Sequence, residues 1–289
     1  MAAGQNDVHS AMIAFPFCKI NLGLQVIGRR EDGYHDIATI FYPLPLYDAL
    51  EIIVSEQHVF RISGQPVPGP EDQNLCLRAY HMLKQDFPQL PALQVYLHKA
   101  IPMGAGLGGG SSDAAAMLAL LNDKFRLELD RAALSRYATR LGSDCTFFLQ
   151  KQACYATGRG EQMDPFEQEE LDRCSIVLVC PEIPISTPWA YGQIKPHPPD
   201  YSLREAALSP VAQWKSYIAN DFEQPVFEAY PVLADIKQTL YQRGAHYASL
   251  SGSGSAIYGI FPPGKEGKPE DWPFKQASVF VFPAGRSIR

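Results

Sequence analysis

Leu22, Leu24 and Val26 alternate with Gly23 and Gln25, which predicts a half-buried strand over residues 15–27. A second apolar run at 37–44 follows a turn at Arg29-Arg30-Glu31-Asp32-Gly33, where Asp-Gly is the strongest signal. Residues 48–54 and 59–63 have the pattern of two strands joined as a hairpin, and 66–70 is a loop. An amphipathic helix is expected over 74–87, a strand over 93–99, and helices over 112–124 and 130–141. Residues 157–161 break the pattern, which restarts with a strand at 175–180 and an extended segment at 181–187. A stiff loop is expected at 196–199, and helices near 203, at 211–218 and at 231–243. A glycine–serine loop at 249–255 feeds a strand at 256–261, and a last strand lies at 278–282. Helices and strands mix without strict alternation, which predicts an α+β fold. The break in the pattern near 155–160 suggests two domains, 12–156 and 157–289, after a polar and mobile start of eleven residues.

Between the strand ending at 99 and the helix after it, residues 102–112 read Pro-Met-Gly-Ala-Gly-Leu-Gly-Gly-Gly-Ser-Ser. Five glycines in seven positions strip away the side chains that keep a ligand off the backbone. Amide N–H groups at the following helix start carry partial positive charge, to which the macrodipole adds. The segment therefore reads as a phosphate cradle. A dinucleotide fingerprint fits Gly104, Gly106 and Gly109, but that motif needs a second strand ending in an acid, and a second helix is expected there instead. A Walker A loop needs Lys after its last glycine, and Gly110 is followed by Ser111.

Composition narrows the field. The chain has 289 residues, 46% hydrophobic and 19% charged, as in an ordinary globular protein. No run reaches the ~20 apolar residues of a membrane span. Neither a signal peptide nor a C-x-x-C pair is visible, so six scattered cysteines point to a reducing cytoplasm. A net charge of −6 speaks against nucleic acid as a partner, and an anionic small molecule would need local positive charge.

Other chemistry-bearing residues are ambiguous one by one. Lys19 lies between apolar neighbours in Phe17-Cys18-Lys19-Ile20-Asn21-Leu22, where a strand-edge lysine is the bland reading. Asp144 in Leu141-Gly-Ser-Asp144 fits a turn or cap aspartate equally well. Tyr34, His35, Phe41 and the run Thr187-Pro-Trp-Ala-Tyr191 are compatible with surface and core packing.

Taken together, they match one pattern. The glycine loop resembles the ATP loop of the GHMP kinases. Cys18-Lys-Ile-Asn-Leu-Gly-Leu24, Arg30-Glu-Asp-Gly-Tyr-His35, 102–112 and 141–144 are similar, in order and spacing, to the branch that phosphorylates a CDP-linked methylerythritol. Leu250-Ser-Gly-Ser-Gly254 resembles the third glycine motif. The resemblance implies a two-domain α+β architecture with the active site in the interdomain cleft, and transfer of phosphate from ATP, with Mg²⁺, to an alcohol. Asp144 would take the proton of the attacking hydroxyl, and Lys19 would keep it ionised and stabilise charge. Pro102, Met103, Gly104, Ala105, Gly106, Leu107, Gly108, Gly109, Gly110, Ser111 and Ser112 would bind ATP, with Asn74 and Lys99 nearby; Ser111 or Ser112 would reach Mg²⁺. Tyr34, Phe41 and Tyr191 would stack on cytosine, His35 would read its edge, and Asn21 and Thr187 would contact the polyol or diphosphate. Cys18, Ser143 and Cys145-Thr146 depart from the family's usual residues beside the two reacting groups. A monomer or homodimer is expected. The competing readings are a homoserine- or mevalonate-class kinase, or a nucleotide-binding protein without turnover.

Overall fold

The computed structural model describes residues 11–285, so the polar start read from the sequence lies, save Ala11, outside the described residues. In chain order the strands and helices are β1 (Met12–Ala14), β2 (Phe17–Arg29), β3 (His35–Tyr47), β4 (Ala49–Ser55), β5 (Val59–Gly64), α1 (Leu75–Asp86), β6 (Ala92–Lys99), α2 (Gly109–Phe125), α3 (Arg131–Leu141) and α4 (Cys145–Phe148). They continue as β7 (Cys154–Thr157), β8 (Gln162–Pro165), α5 (Glu169–Asp172), β9 (Ser175–Pro181), α6 (Thr187–Gln193), α7 (Leu203–Ala206), α8 (Glu223–Ala229), α9 (Pro231–Gln242), β10 (Tyr247–Leu250), β11 (Ile257–Phe261) and β12 (Ala277–Phe282). The fold is α+β, as the pattern predicted. None of these helices is long and apolar enough to cross a membrane.

Two compact units are each assembled from separated segments. The first takes the chain up to Cys18, Leu46–Met103 and Gly108–Lys151. Its sheet has the order β1-β4-β6-β5 and packs against α1 and α2. The hairpin expected from 48–63 does not form. β4 runs antiparallel to β6 from Ala49↔His98 to Ser55↔Ala92, and β5 runs parallel to β6 from Val59↔Gln94 to Gly64↔Lys99. Glu56-Gln57-His58 offers none of the glycine or asparagine that closes a tight hairpin, and the link lets β6 enter between the two strands. Leu93, Val95 and Leu97 on β6 then face Leu77, Leu83, Leu118 and Leu121 of the helices. Asn74 caps α1 by accepting from the Cys76 amide (2.9 Å), and Asp130 caps α3 by accepting from Ala133 (2.7 Å).

The second unit comprises Lys19–Pro45, Gly104–Leu107 and Gln152 onward. It contains the sheets β10-β11-β9-β12 and β2-β3-β7-β8. β9 is buried from Ser175 to Cys180, and β11 along its whole length, so both read as continuous apolar runs rather than as alternation. Residues 157–161, read as a break, are the turn between β7 and β8, paired from Cys154↔Pro165 to Thr157↔Gln162. α6 escaped the sequence reading because prolines surround it. Ser186 caps it and Pro188 sits in its first turn, where proline is tolerated. α8 likewise carries Pro225 near its start.

Candidate active site

The glycine loop is shaped by its neighbours within each unit. α2 starts at Gly109, three residues before the expected start, because Gly109 and Gly110 take helical geometry. Gly108 holds the cap in the left-handed region (φ 73), and its carbonyl accepts from Ser112 N (2.9 Å). The amides ahead of Ser112 therefore have no intrahelical acceptor. Gly106 is also left-handed (φ +76), and a Cβ there would run into the Ser251 carbonyl. Ala105 and Leu107 are buried anchors: the Ala105 carbonyl accepts from Ala256 N (3.1 Å), and the Leu107 carbonyl from Lys19 N (3.0 Å). Gly104 stands exposed, and a Cβ there would meet nothing within 4 Å. Pro102, Met103, Gly110 and Ser111 are half-buried, while Ser112 is turned inward at 2% exposure.

Beneath the first unit's part of the loop lies a buried charge cluster that the sequence reading missed. Lys99 Nζ donates to Asp113 Oδ2 (2.5 Å) and to Asp48 Oδ2. Asp48 Oδ1 accepts from the amides of Ala100 (2.6 Å) and Ile101 (2.9 Å), which fixes where the chain leaves β6. A Cβ on Gly109 would lie 3.3 Å from Lys99 Nζ, so the ammonium sits against the start of α2. Burial pushes the Asp113 carboxyl up to about 7, with Lys99 pulling it down and Asp48 adding to the rise. Lys99, expected beside the nucleotide, is 1% exposed and engaged with these carboxylates. Asn74, expected with it, spends its side chain on the α1 cap. Only an internal salt-bridge pattern, Asp48…Lys99…Asp113, could have signalled this, and the residues are too far apart in sequence to advertise it.

Asp144 precedes α4 and is half-buried, with Ser143 Oγ at 3.5 Å from its Oδ1. The next residue, Cys145, is hydrogen-bonded to the Ser111 side chain and pushed up to about 11 by burial. That contact sets Asp144 close to the start of α2. Phe147 and Phe148 pack on Phe17 with centroids at 6.0 and 5.2 Å, which supports the short helix from below.

In the second unit Lys19 is 3% exposed, and its ammonium donates to Asn21 Oδ1 (2.6 Å) and the Gly106 carbonyl (3.0 Å). It also lies 5.1 Å from the centroid of Phe41. Asn21 in turn donates to Thr39 Oγ1 (3.0 Å), and Thr39 to the Gly23 carbonyl (2.6 Å). Ser251 Oγ donates to Gly106 O (3.0 Å) and accepts from Asn21 N (3.3 Å), and Tyr258 donates to the Asn21 carbonyl (2.8 Å). Asn21, expected to meet the acceptor, is 2% exposed and accepts from the Lys19 ammonium. Phe41, expected to stack on a base, is buried beneath that lysine at 1% exposure. The polar and aromatic types are legible in the sequence; their burial is not.

Two of the remaining candidates, His35 and Tyr191, come together. His35 stacks on Tyr191 (4.8 Å, 19°), and Tyr191 meets Phe222 edge-on (4.9 Å). Tyr34 beside them is 56% exposed. Burial, then the Arg29 charge, holds His35 below the usual histidine range, so at neutral pH its ring has one donor and one acceptor. Thr187 is exposed, with its Oγ1 3.2 Å from Ser253 Oγ.

The chain has counterparts among known proteins. The GHMP kinases N terminal domain matches residues 74–152, and the GHMP kinases C terminal domain matches 203–269. A 4-diphosphocytidyl-2-C-methyl-D-erythritol kinase of Bacteroides fragilis is 49% identical over 256 residues, covering 87% of this chain and 93% of that protein. One from Parabacteroides distasonis is 46% identical over 269 residues, covering 93% and 96%. A crystal structure of 4-(cytidine 5'-diphospho)-2C-methyl-D-erythritol kinase superposes with a TM-score of 0.79 at 32% identity, covering 94% and 98%. The Methanococcus jannaschii mevalonate kinase, at 15% identity and a TM-score of 0.69, shares the fold.

Proposed function

Because the chain belongs to the 4-diphosphocytidyl-2-C-methyl-D-erythritol kinases of the GHMP kinase superfamily, we propose that it transfers the γ-phosphoryl group of ATP to the 2-hydroxyl of that CDP-linked alcohol. The product belongs to the non-mevalonate route to isoprenoid precursors. The observation that carries the reading is identity of 46–49% across most of the chain to kinases of that name. The glycine loop adds physical support. Its bare backbone and the free amides before Ser112 suit the phosphate tail of ATP.

Phosphoryl transfer asks for in-line positioning and neutralised charge more than covalent chemistry. Asp144 accepts the proton of the attacking hydroxyl, and Lys19 stabilises negative charge on the transferring oxygens. Asn21, Gly106 and Phe41 aim that ammonium. Mg²⁺ in nucleotide sites keeps several waters and binds phosphate oxygens, so the chain needs to offer few donors. Among the described residues no three His, Cys, Asp or Glu side chains are grouped to hold a metal, and the half-buried Ser111 hydroxyl is the donor that fits. When bound, the ion would neutralise phosphate charge. On the acceptor side, Tyr34 and the His35–Tyr191 pair receive the cytosine, with His35 reading its edge.

The test is a coupled assay of ADP release with ATP and a panel of acceptors. The CDP-linked methylerythritol should turn over, and homoserine and mevalonate should not. Turnover of either rival in its place would overturn the assignment.

A further inference from the structure

We propose that Arg159 belongs to the acceptor subsite and that its guanidinium takes the acceptor's diphosphate. The inference rests on the cytidine-diphosphate reading above. Arg159 sits in the turn between β7 and β8, and that turn is fixed on both sides. Ile37 N donates to the Gly158 carbonyl (2.7 Å), Gly160 N donates to Thr157 O (3.0 Å), and the Arg159 amide donates to Glu161 Oε2 (2.6 Å). Glu161 is thus spent on the backbone. The guanidinium lies over the Tyr34 ring, 4.3 Å from its centroid, so it flanks the residue that the function assigns to the base.

Among the described residues Arg159 forms no salt bridge. Asp32 feels its charge, but that carboxylate is taken up by the Tyr34 amide (3.0 Å) and Arg30 Nε (3.2 Å). A half-buried guanidinium with its five donors unspent is unusual in a chain of net charge −6. It is matched by a ligand whose strongest feature is two linked phosphates. The planar fork binds phosphate oxygens in pairs, which an ammonium cannot reproduce. The ring beneath it keeps the fork from folding away.

The experiment is calorimetric titration of the full chain with CDP and with cytidine, for wild type, Arg159→Gln and Arg159→Lys. Wild type should prefer CDP. Arg159→Gln should weaken CDP binding roughly 10- to 100-fold, the worth of a charged hydrogen-bond pair. Cytidine binding should weaken only about two- to fivefold, the share of the ring contact. Arg159→Lys should restore part of the difference, and the KM for ATP should not change. If Arg159→Gln keeps the wild-type ratio of CDP to cytidine affinity, or loses both ligands equally, the diphosphate role is overturned. If wild type binds neither ligand, the cytidine-diphosphate reading falls first and takes this role with it.

Discussion

Lys19 and Lys99 are both nearly sealed from water, at 3% and 1% exposure, and are set in different surroundings. Lys99 lies between two carboxylates, Asp48 and Asp113. Burial alone would lower its pKa, and the two anions more than reverse that. Its charge is consumed in joining the end of β6 to the start of α2. Lys19 is gripped by an amide oxygen, a peptide carbonyl and the face of an aromatic ring. Those contacts aim the ammonium. Preorganised charge of that kind is what stabilises a transition state. Two carboxylates tie Lys99 into the framework under the loop, while the contacts of Lys19 orient it for the role proposed for it.

Substitutions can break this contrast. The largest effect is expected at the proton acceptor: Asp144→Asn should lower kcat by roughly 10²–10⁴ while the fold is kept, as circular dichroism would verify. Turnover within a few-fold of wild type would remove Asp144 from proton transfer. Lys99→Met comes next, and its effect should fall on stability. It leaves two buried carboxylates facing each other, which costs about 3–5 kcal/mol in urea unfolding. The kcat of the folded fraction should fall far less than in Asp144→Asn. Lys19→Met should show the converse, with kcat down roughly 10²–10³ and a smaller change in unfolding free energy. If the two lysine variants lose activity and stability in the same proportion, the two lysines do not differ in role.

The sequence made some of this visible and hid the rest, for physical reasons. The glycine loop, the long helix after it and the alternation in β2 are local patterns, so they can be read in a window of a dozen residues. Motif order singles out Lys19, Asp144, His35 and Tyr191 as candidates. Pairing of β5 with β6 rather than β4 was not, because strand partners are chosen by burial across the whole sheet. The Asp48–Lys99–Asp113 cluster spans three elements whose meeting only the tertiary fold decides. Asn21 and Phe41 have side chains that suit a sugar and a base. Their burial behind Lys19 is invisible in a one-dimensional pattern.

A smaller effect sharpens the Lys19 side. Asn21→Ala removes the 2.6 Å acceptor of the ammonium without touching its charge. The kcat should drop about tenfold, in keeping with one lost charged hydrogen bond of roughly 1.5 kcal/mol. The KM for ATP should move little. A loss as large as that of Lys19→Met would mean that Asn21 does more than orient.

The smallest effect concerns pH and the Lys99 side. Asp113 titrates near 3.8 in an ordinary setting and near 7 in the fold, chiefly because it is buried, with Lys99 opposing the rise and Asp48 adding to it. Among the described residues its Oδ1 has no hydrogen-bond partner, so charge on that oxygen is poorly compensated and a proton relieves it. Between those two values the folded chain binds a proton that the unfolded chain does not. Stability from this group is therefore full below about 4, declines as pH rises, and is gone above about 7. Asp113→Asn keeps an oxygen for Lys99 and abolishes the titration. Melting temperatures measured without nucleotide from about pH 8 down to about pH 5 should favour wild type progressively over Asp113→Asn. Parallel curves would mean that Asp113 stays ionised throughout, and that Lys99 holds both carboxylates as full anions.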